Sequence, residues 1–117
     1  MLDLNSIAIG SAKPKALAKF YEQVFKRGAD WEEGDWYGWQ VGSTYLHIGP
    51  HSEVKGKAKQ PQRILLNFET KQVKKEFTRI EALGAKVIRE PYKMEGMQVA
   101  TFADPDGNYF QLMSPWK

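Results

Sequence analysis

Chemistry has few places to reside in this chain. It holds two histidines, His47 and His51, and no cysteine, which excludes thiolate nucleophiles, thiolate metal sites, thiol redox centres and disulfides. His47 is then the natural candidate for taking up a proton near neutral pH. It lies in Tyr45-Leu46-His47-Ile48, where polar and apolar residues alternate with the period of a strand. A similar alternation runs through Ser6-Ile7-Ala8-Ile9, from Arg63 to Phe68, and through Tyr109-Phe110-Gln111-Leu112-Met113. One set, Ile7, Ile9, Leu46, Ile48, Ile64, Leu66, Phe68, Phe110 and Leu112, is wholly apolar and suits a sheet face covered by helices. The opposite set is Ser6, Ala8, Tyr45, His47, Leu65, Asn67, Tyr109, Gln111 and Met113, with Arg63 at its edge. That mixture suits a ligand-binding concavity or an ordinary solvated face. In it, His47 fits a ligand contact, a general base or a structural histidine, and Arg63 fits an anion anchor or a solvated strand end. Trp36, Tyr37 and Trp39 crowd a further stretch, where one alternating set packs inward and the other walls a planar ligand; Trp39 is assigned to the wall.

Several elements are needed to position these faces. Residues 4–9 read as a strand and 14–25 as a helix, with Leu17, Phe20, Tyr21, Val24 and Phe25 at helical spacing, Pro14 in the first turn and Gly28 as the stop. Strands follow at 30–33, 36–41 and 44–49, divided by Gly34-Asp35 and Gly42-Ser43 turns. After a polar stretch at 50–62 the order recurs: a strand at 63–68, a helix at 71–83 with Val73, Phe77 and Ile80 inward, and Gly84 as stop. The remaining strands fall at 85–92, 97–103 and 109–113. A tight turn at Asp104-Pro105-Asp106-Gly107 joins the last two, with Pro105 pre-setting φ and Gly107 free to adopt φ > 0. The chain is thus an α+β protein of two tandem β-α-β-β-β modules, about 4–49 and 63–113, joined by a linker at 50–62. The duplication is one of element order and not of letters.

Composition narrows the function classes. With 117 residues, 42% hydrophobic and 26% charged, one domain spanning 1–117 is expected. The net charge of +3 is spread over both helices, as solvated faces require, so nucleic acid is not an expected partner. Lys55, Lys57 and Lys59 cluster locally, which a flexible polar linker explains. No apolar run approaches membrane-spanning length and Met1-Leu2-Asp3-Leu4 lacks the pattern of a signal peptide, so no membrane is expected and the cytoplasm is the expected location.

The two β-α-β-β-β units, the Phe20-Tyr21 pair and the 104–112 hairpin together resemble the vicinal oxygen chelate superfamily, which contains glyoxalase I, bleomycin- and fosfomycin-resistance proteins and extradiol dioxygenases. The resemblance spans residues 4–115. It implies a cupped mixed sheet with both helices on its outer face, and usually a homodimer with sites between subunits. In metal-dependent members four inward positions hold a divalent ion, and they correspond here to Ser6, His47, Leu65 and Gln111. Leu65 cannot ligate, Ser6 and Gln111 are weak neutral donors, and His47 alone is a good ligand. The resemblance therefore implies a protein without cofactor or bound metal that takes up a small aromatic or anionic molecule. Ser6, Trp39, Tyr45, His47, Arg63, Leu65, Asn67, Tyr109 and Gln111 are its expected ligand-binding residues. The alternative is a glyoxalase-like lyase or isomerase, or a dioxygenase, using a divalent metal or His47 as base.

Overall fold

The computed structural model describes residues 1–115, and the chain divides into two compact units, one of residues 1–56 and one from Lys57 onward. Each carries the β-α-β-β-β order and its own four-stranded mixed sheet.

In the first unit, β1 (Ser6–Ser11) leads into α1 (Pro14–Phe25), followed by β2 (Trp31–Glu33), β3 (Trp36–Val41) and β4 (Thr44–Pro50). The sheet order is β1-β4-β3-β2, with β1 and β4 parallel and the other pairs antiparallel. Parallel strands need a crossover, and α1 supplies it. Pro14 occupies the first helical turn, where a missing N–H costs nothing, and Leu17, Ala18, Tyr21 and Val24 form the buried stripe. Ile48 and Leu46 are buried on the sheet, as is Trp39. Phe25 meets the Trp39 ring edge-on at 5.5 Å, and the Trp39 indole N–H donates to the Arg27 carbonyl at 3.1 Å. The helix stops earlier than Gly28, because Lys26 itself takes the left-handed conformation (φ 64°) and its N–H reaches back to the Glu22 carbonyl.

In the second unit, β5 (Leu66–Glu69), α2 (Val73–Ala82), β6 (Lys86–Met94), β7 (Met97–Ala103) and β8 (Tyr109–Met113) give the order β5-β8-β7-β6, again with one parallel pair, β5 and β8. Val73, Phe77 and Ile80 of α2 are buried, and the rings of Phe77, Phe102 and Phe110 stack in series at 5.0 and 5.5 Å. The hairpin between β7 and β8 forms as its residues dictate. Gly107 has φ 84°, and its N–H bonds the Asp104 carbonyl at 2.9 Å. The buried Asp104 carboxylate organises the turn by accepting from the backbone N–H groups of Asp106 and Asn108, both at 2.9 Å.

Two expectations fail around the linker. The strand that alternation begins at Arg63 begins at Leu66, because Pro61 starts a 3-10 turn, Pro61–Arg63, closed by the Arg63 N–H on the Gln60 carbonyl. Ile64, expected on the apolar face, is left 73% exposed. Nor is the linker merely a flexible tether. The Ala58 N–H donates to the Asp106 carbonyl, which fastens this segment to the β7–β8 hairpin. Among the described residues no helix is long and apolar enough to cross a membrane.

Candidate functional site

On β4, Tyr45 and His47 are two residues apart and so point to the same side, away from α1. Their rings meet edge to face at 4.9 Å. Register carries the face outward. Ser6 pairs with Tyr45 and Ala8 with His47 on one flank, and Gln40 pairs with Tyr45 and Gly38 with His47 on the other.

Two glycines give this face its form. A Cβ on Gly38 would stand 2.5 Å from the Tyr45 hydroxyl and collide with its ring, and a Cβ on Gly49 would fall inside the Trp36 ring. Both aromatic rings therefore lie against bare backbone on the neighbouring strand. Trp36 is 37% exposed, and Trp31, paired with Gly38, is also exposed. The result is a flat aromatic surface around an imidazole, with a serine and a glutamine within reach of the same sheet rows.

Trp39 does not belong to it. Trp39 pairs with Leu46, on the helix side, and is 1% exposed; Trp36 takes the place expected of it as wall. Trp39 and Tyr37 instead line a cavity of about 390 Å³ beside α1, together with Lys15, Lys19, Glu22 and Glu32. The Tyr37 phenol is pushed above its ordinary pKa by burial, then by the nearby Glu32 and Asp35 carboxylates.

The second unit brings Asn67, Tyr109 and Gln111 onto the face turned away from α2. Asn67 pairs with Gln111, and Gln111 with Thr101. The Gln111 amide nitrogen donates to the Thr101 hydroxyl at 3.0 Å. Leu65 lies before β5 and is partly exposed, while Arg63, at the end of the 3-10 turn, hydrogen-bonds the Gln60 side chain at 2.6 Å. Neither residue sits in a strand. Thr101 went unnoticed in the sequence because nothing in Val99-Ala100-Thr101-Phe102 marks it until Gln111 is paired opposite.

The metal positions implied by resemblance can be judged by donor chemistry. On the strands that adjoin His47 the oxygen donors of its face are the Ser6 and Tyr45 hydroxyls and the Gln40 amide, none of them anionic; the carboxylate of Glu33, opposite Trp36, stands two strands away on β2. Gln111, whose amide nitrogen donates to Thr101, offers only a neutral carbonyl oxygen, and Leu65 offers no donor. No group of three His, Cys, Asp or Glu residues gathers among the described residues. This donor set does not fit a catalytic divalent ion, which takes about three protein ligands including imidazole or carboxylate.

Comparison with known proteins places these faces in context. Residues 6–113 match the family profile of the glyoxalase-like domain. Among solved structures, a glyoxalase-related enzyme from Fulvimarina pelagi superposes with a TM-score of 0.80 at 17% identity, covering 98% of this chain and 89% of the other. A glyoxalase/bleomycin resistance protein/dioxygenase family enzyme from Burkholderia phytofirmans PsJN superposes at 0.73 with 26% identity, covering 97% and 98%. A genomically encoded fosfomycin resistance protein from Listeria monocytogenes superposes at 0.70 with 13% identity, covering 99% and 93%. No curated protein matches the sequence.

Proposed function

The chain belongs to the glyoxalase-like domain family, and from that premise we propose that it binds a small aromatic or anionic molecule on the sheet faces turned away from its helices, as a cytoplasmic homodimer and without a tightly held metal ion. The observation that carries this reading is the pair of rings, Trp36 on Gly49 and Tyr45 on Gly38, laid beside His47. A ring held flat against backbone costs little further entropy when a planar ligand stacks on it. His47 and Ser6 supply polar contacts to orient such a ligand. The metal-free part rests on the donor set, in which His47 has no carboxylate beside it on its face. The homodimer rests on the family and on the exposed apolar side chains of Trp31, Trp36, Ile64 and Leu65.

A thermal-shift panel of planar aromatic compounds tests the reading. Stabilisation should grow with the logarithm of ligand concentration in the wild type and disappear in Trp36→Ala. Full retention of the shift in Trp36→Ala would remove the aromatic surface from the site. Stoichiometric zinc, nickel, manganese or iron retained through a chelator wash would overturn the metal-free part.

A further inference from the structure

Strand β6 departs from regular pairing on both sides of Arg89. Val87 pairs with Phe102, Arg89 with Thr101 and Tyr92 with Val99, so each interval on β6 holds one residue more than the interval opposite. Each extra residue is a β-bulge, a device that re-aims side chains. In an unbroken strand Val87 and Arg89 would share a face, and Arg89 and Tyr92 would lie on opposite faces. The bulges invert both relations. Phe102, opposite Val87, is buried in the aromatic stack of the core. Arg89 comes level with Thr101 on the face turned away from α2, and Tyr92 joins it there, with the guanidinium carbon 3.6 Å from the Tyr92 ring centroid. Pro91, between them, is accommodated because β6 is an edge strand.

The register then runs straight across the sheet through Arg89, Thr101, Gln111 and Asn67, one residue from each strand. Thr101 is 6% exposed and accepts from Gln111. A hydroxyl that accepts one bond still has its own proton to donate. The other arginines are engaged: Arg27 with Asp30, Arg79 with Glu76, and Arg63 with Gln60. Arg89 pairs with no carboxylate among the described residues, and the Tyr92 ring holds its guanidinium in place.

We propose that Arg89, set by the two bulges and steadied by Tyr92, anchors a carboxylate group of a small molecule on the second unit's own sheet face, with the Thr101 hydroxyl as the second donor. This assignment rests on the small-molecule reading above and gives its anionic part Arg89 in place of Arg63, which sits outside the strands and hydrogen-bonds Gln60. The planar fork of a guanidinium matches the two oxygens of a carboxylate. The buried side chains of Val99 and Ala103 flank Thr101 on the same face and leave its hydroxyl little exposed to water.

Calorimetric titration with benzoate and with benzamide, its neutral counterpart, separates the two claims. Both compounds carry the same ring, and only benzoate carries the charge that Arg89 would recognise. Wild type should bind benzoate about tenfold tighter than benzamide, the size expected of one charge-assisted contact. Arg89→Gln should bind both alike with benzamide affinity unchanged, Arg89→Lys should keep part of the preference, and Arg63→Gln should keep all of it. Arg89 is exposed, so these variants leave the core intact. A preference for benzoate that survives in Arg89→Gln or vanishes in Arg63→Gln overturns the Arg89 assignment and leaves aromatic binding standing. Equal binding of the two compounds by wild type does the same. Failure of wild type to bind either compound overturns both.

Discussion

Glycine at 38 and 49 is required by side chains of the neighbouring strands and not by backbone conformation, since neither position has positive φ. Gly49→Ala should displace Trp36 and lower stability by about 1–3 kcal/mol, as overpacking does, and should weaken aromatic ligands along with it. Urea denaturation and the thermal-shift panel read the two effects separately; an unchanged protein would show that the ring is not seated there. Tyr37 makes a prediction in pH. Its folded-state pKa is raised above the ordinary value of 10.0, so its contribution to stability is full below about pH 10 and is lost as pH climbs through the raised value. Tyr37→Phe should flatten that part of the alkaline decline, measured as denaturation midpoint against pH. At this scale the sequence was only partly legible. Trp36, Tyr37 and Trp39 are all aromatic, so composition could not tell wall from core. Only the pairing of Trp39 with Leu46 and of Trp36's neighbour Tyr37 with Ile48 settles the parity.

Elements were read more securely than residues wherever their period was unbroken. Helix Pro14–Phe25 and strands Trp36–Val41, Met97–Ala103 and Tyr109–Met113 lie where the apolar spacing puts them. The second module's first strand was misplaced because Ile64-Leu65-Leu66 is apolar throughout and hides its own register, while the Pro61 turn decides where extension begins. Arg89 was illegible for a related reason: counting by twos through β6 puts it on the wrong face, and bulges leave no reliable mark in a single sequence. The β7–β8 hairpin was legible in its turn residues but not in the carboxylate that holds it. Asp104→Ala should leave the Asp106 and Asn108 N–H groups without their acceptor and cost about 1–3 kcal/mol. The loss should appear in urea denaturation, with hydrogen exchange fastest at Asp106 and Asn108. A neutral result would mean that Pro105 and Gly107 suffice for the turn.

For the whole molecule, the repeated module was visible in element order, and the family in that order with the Phe20-Tyr21 pair and the 104–112 hairpin, whereas the assembly state was not, because an exposed tryptophan reads the same in a monomer as in an interface. Light scattering in solution should give twice the chain mass, and Trp31→Glu should lower it toward the monomer if the apolar surface is the contact. A monomeric wild type would remove the homodimer from the proposal. The sheet order carries a consequence for synthesis. In each module the first strand made is paired by the last: Ser6 waits for Tyr45, and Asn67 for Gln111. A nascent chain therefore presents β1, and later β5, as an orphan edge while the crossover helix and the intervening hairpin emerge. During that interval such an edge is a template for pairing with another chain. Pairing by the last strand closes one side of β1 and of β5, so aggregation risk from these strands should peak at two moments of translation, before β4 and before β8 emerge.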